Sequence, residues 1–324
     1  HLQFRKATLM VRWRRVLFFL LAGSVASVRA HEVGYRVLRV PVGGKSIAVA
    51  VWYPTEASSR PIVYGTARVA GRAAADAPLK PGRWPLVLFA HGYSGSGTGS
   101  AAIAEGVARA GYVWAAPDFS DVVSEVRIDG PVTGNLRDAL RNLKDKPPSM
   151  ENHGYRVEEA RAVLRALRDD PEWSIDPERI ALAGHSLGGW TVVRLALDDP
   201  RPPPLVLYSM GELNYLFKNA RIVTGRDLAR LRGPAYLTYG ERERTALRGR
   251  SPNTLYVLAH LGGPACAVEI RGGSHFVYVH REVAGRQGGT SVQLARIAQA
   301  TAAFLDREFR GADGPVPADH CRNR

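Results

Sequence analysis

One short stretch constrains the fold of this chain more than any other, because it joins a strand pattern to a helix pattern at a single serine. Residues 180–197 read IALAGHSLGGWTVVRLAL. The apolar run before Gly184 predicts a buried strand, and the apolar spacing after Gly189 predicts a helix. In a nucleophile elbow, Gly-x-Ser-x-Gly forms a strained turn between such elements and exposes its serine for acyl transfer. Ser186 is therefore a candidate nucleophile, and a tight turn that happens to contain serine is the alternative.

Strand-like and helix-like runs alternate through the rest of the chain. Residues 35–40 and 46–53 predict an opening hairpin, whereas 54–85, rich in Ala, Pro, Gly and Arg, predicts a loop or small excursion. Further strands are predicted at 86–90, 112–117, 180–183, 205–208, 235–239 and 267–270, and helices before Gly111, after Ser186, and at 156–169, 253–261 and 292–309. This alternation predicts an α/β fold with a mostly parallel sheet and helices on both faces. We expect one domain over 31–324, with a lid or insert at 118–152.

The first thirty residues have the pattern of a signal peptide. Residues 10–15 are basic, residues 16–26 are apolar, and 28–30 (Val-Arg-Ala) offer a cleavage site, with Met10 as the natural start. The apolar run is shorter than the roughly 20 residues that cross a bilayer, although a retained anchor is the alternative. The sequence therefore predicts a secreted or periplasmic protein without stable membrane insertion after signal removal.

The formal net charge of +14 does not by itself indicate nucleic-acid binding. Six of the basic residues lie within 1–30, and the others are scattered among acidic residues. No stretch interleaves bases with aromatic residues as a nucleic-acid surface does. The glycine-rich loop at 91–99 lacks the GxGxxG and GK[ST] patterns that are typical of phosphate cradles. We therefore expect no nucleic-acid partner.

The two cysteines, Cys266 and Cys321, fit an exported protein. In an oxidising compartment they would form one disulfide that pins the C-terminal tail, and two free thiols are the alternative. Neither CxxC spacing nor a His/Cys/Asp cluster with metal-ligand spacing occurs. We therefore expect no structural metal and no cofactor.

A serine nucleophile needs a base, and the candidate base is His275. In folds built on a nucleophile elbow, the acid and then the histidine follow later strands of the sheet. His275 lies in the loop directly after the predicted strand 267–270, at the edge where such a base would stand. His280 is the rival, and a surface or core histidine is the non-functional alternative.

The orienting acid is open among three glutamates. Glu243 is our first choice, because it lies three residues past the predicted strand 235–239 and leaves room to turn back toward His275. Glu241 is second. Glu212, after the predicted strand 205–208, is third, since acids can also follow that strand. A solvated Glu243 paired with a neighbouring arginine is the structural alternative.

Two backbone donors would hold the negative oxygen of a tetrahedral intermediate. One is the N–H of Leu187, directly after the nucleophile. The other is expected from the His91-Gly92-Tyr93 loop after the predicted strand 86–90, and we assign it to the N–H of Tyr93. Tyr93, Trp190 and Phe276 are predicted to furnish an aromatic wall for the substrate. For Trp190, ordinary helix packing is the alternative.

Six segments resemble the α/β-hydrolase superfamily: VWYPT (51–55), PLVLFAHGYSG (85–95), GYVWAAPDFSD (111–121), IALAGHSLGG (180–189), YGERE (239–243) and RGGSHF (271–276). Within it, the chain is similar to exported dienelactone-hydrolase-like and platelet-activating-factor-acetylhydrolase-like serine esterases, and to the neighbouring cutinases and polyester hydrolases. The resemblance implies Ser186 as nucleophile, His275 as base, and Tyr93 and Leu187 as oxyanion donors. The acid falls at Glu243, where these families usually show Asp. Dienelactone hydrolases proper use a cysteine nucleophile, so the resemblance does not imply lactone specificity.

The sequence thus predicts a secreted serine carboxylic-ester hydrolase that works through an acyl-enzyme without a cofactor. Its expected partner is a small-molecule or polymeric ester substrate. One alternative is a cutinase-like polyester hydrolase with an open cleft, which a lid at 118–152 would disfavour. Another is a non-catalytic binding protein on a hydrolase scaffold.

Overall fold

The computed structural model describes residues 30–121, 126–130, 136–210, 223–246 and 253–322. Except for Ala30, the predicted signal peptide lies outside the described residues. Within them the strands are β1 (Glu32–Val42), β2 (Lys45–Thr55), β3 (Arg60–Tyr64), β4 (Val69–Ala75), β5 (Trp84–Ala90), β6 (Val113–Pro117), β7 (Ile175–His185), β8 (Leu205–Tyr208), β9 (Ala235–Gly240), β10 (Ala265–Ile270) and β11 (His320–Arg322).

Helices connect most of these strands. They are α1 (Ala101–Arg109), α2 (Leu136–Asp145), α3 (Met150–Asp169), α4 (Leu187–Leu197), α5 (Gly225–Arg230), α6 (Glu241–Ala246), α7 (Asn253–His260), α8 (Arg281–Ala284) and α9 (Ser291–Arg310). Two single 3₁₀ turns occupy Pro171–Trp173 and Gly285–Gln287.

The described strands form one sheet in the order β11-β10-β9-β8-β7-β5-β6-β2-β1-β4-β3. The neighbours from β6 through β5, β7, β8 and β9 to β10 are all parallel. Strands β2 and β11 pair antiparallel at the two ends of this parallel block. The predicted α/β class with a mostly parallel sheet is confirmed.

Two apolar layers cover the two faces of the sheet, as strands buried on both faces require. On one face, α3 and α4 pack through residues such as Val157, Val163 and Val193. On the other face, α1 and α9 pack through Ile103 and Phe304. The apolar core therefore consists of two layers of side chains, one on each face of the sheet.

Helix α3 starts six residues earlier than the predicted 156–169. Ser149 caps it by accepting a hydrogen bond at 3.1 Å from the N–H of Asn152, which satisfies one of the free donors of the first turn. Glycine at 154 weakens the helical pattern there, so that the sequence shows only the later turns clearly. The extra turns carry the side chains of His153 and Tyr155.

The prediction of a loop or small excursion at 54–85 was wrong. Strands β3 and β4 form an antiparallel hairpin there, and β4 continues the sheet by pairing parallel with β1. Pro61 and the alanines of β4 give this stretch a low strand propensity, and pairing with β1 overrides it. Inward-facing Val69 and Ala73 are buried, which shows the alternation that the alanine-rich sequence hides.

The segment 118–152, where a lid or insert was predicted, is described only in part. Asp118 and Asp121 are buried where β6 ends, and α2 and the first turns of α3 occupy its second half. Residues 122–125 and 131–135 lie outside the described residues, so the lid stays a prediction.

Cys266 and Cys321 are joined by a disulfide, as expected. They face each other across the antiparallel pair of β10 and β11, where Cys266 is buried and Cys321 exposed. The tail is also held by the N–H of Glu269, which donates to Asp319 at 2.7 Å, and by the hydroxyl of Tyr236, which donates to the carbonyl of Pro317 at 2.9 Å.

Replacing both cysteines should lower the free energy of unfolding. The bond closes a separation of 55 residues, for which the chain-entropy relation gives about 4 kcal/mol. We expect the Cys266→Ser/Cys321→Ser variant to lose about that much unfolding free energy in urea titrations. Dithiothreitol, which reduces the disulfide, should lower the unfolding free energy of wild type by a similar amount and leave that of the variant unchanged. A variant as stable as wild type would contradict this role.

Candidate active site

The carboxyl ends of the parallel strands meet at one edge of the sheet, which is where ligands bind in such folds. There β5 is followed by His91, β7 by Ser186, and β8 by Ser209. Glu243 lies in α6 directly after β9, and His275 lies in the loop after β10. Residues that are far apart in the sequence are therefore brought together.

Ser186 occupies a strained backbone conformation with φ 53° and ψ −119°. Its flanking glycines have no room for a side chain. A Cβ on Gly184 would overlap the carbonyl of Gly188, and a Cβ on Gly188 would overlap the carbonyl of Ala90. The Gly-x-Ser-x-Gly pattern thus reflects the close approach of this turn to itself and to β5. Such strain at a polar residue is a feature of functional sites.

Ser186, His275 and Glu243 are aligned in one row. The Oγ of Ser186 lies 3.0 Å from Nε2 of His275. The Nδ1 of His275 lies 3.5 Å from Oε1 of Glu243. Ser186 and Glu243 are buried, while about a quarter of the His275 side chain is exposed. In this geometry the histidine can accept the serine proton on one nitrogen while the carboxylate faces the other.

The rival residues lie elsewhere. Glu241 is exposed and accepts a hydrogen bond at 2.7 Å from the N–H of Gly272, so it ties two loops together. His280 is turned toward α1, where its Nε2 accepts a bond at 2.9 Å from the N–H of Ala102. Glu212 lies outside the described residues.

A chain of hydroxyl groups ends on the Glu243 carboxylate. Ser209, buried at φ 47°, donates to Oε1 of Glu243. The Tyr278 hydroxyl lies 3.1 Å from the Ser209 Oγ and 2.8 Å from the Oγ1 of Thr238. Burial raises the pKa of Tyr278 well above its ordinary value, so that it stays a donor. All bonds are satisfied if Thr238 donates to Tyr278, Tyr278 to Ser209, and Ser209 to Glu243.

His185, inside the Gly-x-Ser-x-Gly motif, holds the main chain of the candidate base. Its Nε2 donates to the carbonyl oxygen of His275 at 2.8 Å. The ring also lies 5.2 Å from that of Tyr278, centroid to centroid. Strand β7, which leads to Ser186, thus directly fixes the loop that carries His275. Sequence reasoning missed both His185 and Ser209, although each stands at the end of a predicted strand.

The candidate oxyanion donors flank Ser186. Leu187 is the first residue of α4, and the first N–H groups of a helix have no partner within it. Across from it, a Cβ on Gly92 would lie 3.4 Å from the Cβ of Ser186, so the Gly92–Tyr93 peptide adjoins Ser186. The two predicted N–H groups therefore belong to segments that meet at the serine.

The three aromatic residues predicted for the substrate wall differ in exposure. Tyr93 is half-buried and contacts His153 edge to face, and Phe276 is 42% exposed beside the ring of His275. Trp190 has no exposed surface and packs against His153. Trp190 belongs to the apolar core, so that ordinary helix packing accounts for its position.

Three histidines near the serine are buried and stay neutral. Burial and the neighbouring His275 lower the pKa of His185 to about 3. Burial and then Arg156 lower the pKa of His153 to about 4, and the same two causes hold the pKa of His91 well below 6.5. A lowered histidine pKa contributes stability that is complete above the unfolded pKa of about 6.5 and is lost as the pH falls below it.

Replacing His153 by phenylalanine should make the fold less sensitive to acid. The unfolded chain protonates His153 near pH 6.5 and the folded chain only near pH 4, so wild type loses stability between these values. We expect the loss of unfolding free energy from pH 7.5 to 5 to be smaller in His153→Phe by about 1 kcal/mol, after allowance for solvent screening. Urea titrations at both pH values measure it. The exposed His320→Gln is the matched control, and an acid response of His153→Phe equal to wild type would contradict the prediction.

No group of His, Cys, Asp and Glu side chains in the described ranges could hold a metal ion. No helix among the same residues is long and apolar enough to cross a membrane.

Residues 55–128 match the family model of platelet-activating factor acetylhydrolase, isoform II. The matched part contains β5 and the Gly92–Tyr93 loop and ends before Ser186. It covers less than half of the chain, so it is a partial likeness.

Several solved structures are similar to the chain over most of its length. A ferulic acid esterase from Streptomyces cinnamoneus is 21% identical, with a TM-score of 0.70 over 92% of this chain and 95% of its own. A dienelactone hydrolase from Anabaena variabilis is 15% identical, with a TM-score of 0.52 over 85% and 98%. A dienelactone hydrolase-like promiscuous phosphotriesterase from metagenomic libraries is 14% identical, with a TM-score of 0.56 over the same shares. The chain therefore has the α/β-hydrolase fold.

Proposed function

We propose that this α/β-hydrolase is a serine carboxylic-ester hydrolase with Ser186 as nucleophile, His275 as base and Glu243 as orienting acid. The observation that carries the proposal is the contact of 3.0 Å between Ser186 Oγ and His275 Nε2, with the Glu243 carboxylate behind Nδ1. The strained turn at Ser186 and the likeness to esterase and hydrolase structures support it.

Acylation uses both nitrogens of His275. Nε2 takes the proton of Ser186 as Oγ attacks the ester carbonyl, while Glu243 stabilises the resulting imidazolium from the side of Nδ1. The carbonyl oxygen becomes an oxyanion, which the N–H groups of Leu187 and Tyr93 stabilise. Collapse breaks the bond to the alkoxide, which receives the proton from Nε2, and leaves Ser186 acylated.

Deacylation repeats these steps with water. His275 takes a proton from the water molecule as its oxygen attacks the acyl carbonyl, and returns that proton to Ser186 Oγ as the acid leaves. Over the two steps Ser186 loses one proton to the alcohol and regains one from water, both through Nε2 of His275. No cofactor enters the scheme.

The substrate class we propose is a small-molecule ester with an apolar or aromatic acyl part. Phe276 presents a partly exposed ring beside His275, and Tyr93 presents another in the loop that adjoins Ser186. Flat apolar surfaces favour such groups. The ferulic acid esterase neighbour is named for an aromatic acid. The described residues contain no observation that favours a cutinase-like polyester substrate. The ester panel that tests the substrate class holds p-nitrophenyl esters of graded acyl length and one polyester film, and hydrolysis of the film would favour the polyester alternative.

We further propose that the protein acts outside the cytoplasm. The disulfide between Cys266 and Cys321 supports this, because such bonds persist in oxidising compartments. The signal-peptide pattern of the first thirty residues is the other support.

Ser186→Ala should abolish ester hydrolysis, since it removes the attacking oxygen. We expect kcat for p-nitrophenyl butyrate to fall by roughly 10⁴-fold or more. Ser174→Ala is the matched control, because Ser174 also has a positive φ but is exposed at the opposite end of β7. Hydrolysis by Ser186→Ala at the wild-type rate would refute the mechanism, and a wild type inactive on every ester of the panel would favour a non-catalytic binding protein.

Glu243→Gln and Glu241→Gln should separate the two glutamates. Loss of the Glu243 charge leaves the His275 imidazolium without its partner, and we expect kcat to fall roughly 10²- to 10⁴-fold. Glu241→Gln keeps an acceptor for Gly272 on an exposed side chain, and a change of about two-fold is expected. Initial rates with saturating p-nitrophenyl butyrate measure both. The reverse order would show that Glu243 is not the acid.

A further inference from the structure

Arg156, on α3, is a completely buried cation behind the candidate oxyanion loop. Its Nη2 donates a hydrogen bond at 2.6 Å to the carbonyl oxygen of His91. Its Nε lies 3.5 Å from Oδ1 of Asp121, which is itself buried. The guanidinium also stacks on Phe119, 4.4 Å from the ring centre. A buried charge with this many contacts is held in one orientation.

The contacts of His91 determine which nitrogen carries its proton. Nε2 lies 3.2 Å from the N–H of Phe119 and must accept from it. Nδ1 lies 2.6 Å from the carbonyl oxygen of Gly92 and must donate to it. Both bonds are made only by the neutral ring with its proton on Nδ1.

Arg156 opposes the charged state of this ring, and the N–H of Phe119 opposes the other tautomer. The Nη2 of Arg156 lies 3.2 Å from Nδ1 of His91, and a positive charge at this distance opposes a second proton on the imidazole. The opposite tautomer would place the Nε2 proton against the N–H of Phe119. The neutral Nδ1–H form therefore persists beside the guanidinium.

The bond from His91 to Gly92 sets the direction of a candidate oxyanion donor. The carbonyl of Gly92 and the N–H of Tyr93 belong to the same planar peptide and point in opposite directions. Nδ1 of His91 and the N–H of Gly95, at 3.0 Å, both hold the Gly92 carbonyl. Fixing this carbonyl fixes the opposite direction of the Tyr93 N–H.

The same guanidinium reaches the far side of the loop through Asp121. Oδ2 of Asp121 accepts a bond at 3.4 Å from the N–H of Ser94. Arg156 thus contacts the loop before Gly92 through the His91 carbonyl and after Tyr93 through Asp121. The two attachments bracket the Gly92–Tyr93 peptide.

We propose that Arg156 is a positioning residue, which keeps His91 uncharged, anchors the loop through the His91 carbonyl and Asp121, and thereby orients the Tyr93 N–H toward the oxyanion. This rests on the proposed ester hydrolysis. Arg156 does not touch the substrate and acts through His91 and Asp121. Stability alone explains a buried ion pair poorly, because desolvation offsets its Coulomb attraction.

The kinetic test compares Arg156→Met and Arg156→Lys with wild type, and Arg161→Met is the control. Arg161 lies on the same helix and pairs on the surface with Asp198. A mispositioned oxyanion donor weakens only the transition state, so we expect kcat of Arg156→Met to fall roughly 10- to 100-fold with KM within about two-fold. The affinity for an alkyl trifluoromethyl ketone, whose adduct carries an oxyanion, should fall in parallel with kcat/KM. Arg156→Lys, which keeps a charge and a donor, should recover part of both, and Arg161→Met should equal wild type.

A spectroscopic readout does not depend on turnover. The ¹⁵N shifts of the His91 imidazole at pH 7, assigned with His91→Gln, should show Nδ1 protonated and Nε2 unprotonated in wild type. When the pH is lowered from 7, Arg156→Met should protonate Nε2 at a higher pH than wild type, because the charge that opposes the second proton is gone. If Arg156→Met does not fold, the double variant Asp121→Asn/Arg156→Met, which removes both buried charges, takes its place in each measurement.

Three results would overturn the proposal: unchanged kcat in a folded Arg156→Met protein, a loss confined to KM, or an unchanged pH dependence of the His91 spectrum. Failure of the proposed function is a different result. In that case wild type and Ser186→Ala would be equally inactive on the ester panel, and the His91 spectra would still decide whether Arg156 orients the loop.

Discussion

The geometry of this site depends on one close approach, that of the turn at Ser186 to the end of β5. Gly188 lies against the carbonyl of Ala90 so tightly that a methyl group would not fit. Contact at this distance places the start of α4 beside the loop that carries Gly92. The start of α4 and the Gly92 loop, which would share an oxyanion, are therefore neighbours because Gly188 between them has no side chain.

Around this contact, burial restricts the protonation of three histidines. His91, His153 and His185 are buried and have lowered pKa values, whereas the side chain of His275 reaches solvent. Burial thus separates these three rings from that of His275, which contacts Ser186 and is accessible to water. The buried rings supply fixed donors and acceptors instead, which orient main-chain groups without changing charge.

Part of the site could be predicted from the sequence, because strand ends and chain order are local signals. Ser186 and His275 follow recognisable strands, and the structure brings them together. Glu241 and Glu243 could not be separated, since the difference depends on which way the first turn of α6 faces. Arg156 gave no signal, because on a helix with many charges only tertiary packing shows which one is buried. The hairpin of β3 and β4 was missed since its alanines and proline carry little strand propensity.

The pairing of β11 with β10 also has a consequence for the edge of the sheet. Without the tail, β10 would end the parallel block with a row of unpaired N–H and C=O groups, which can pair with another molecule. The tail covers this row with a strand of three exposed residues, and the bond between Cys266 and Cys321 keeps it there. So short a strand, with a histidine at one end and an arginine at the other, is a poor template for further pairing. By keeping this strand in place, the disulfide keeps the first half of the β10 edge covered.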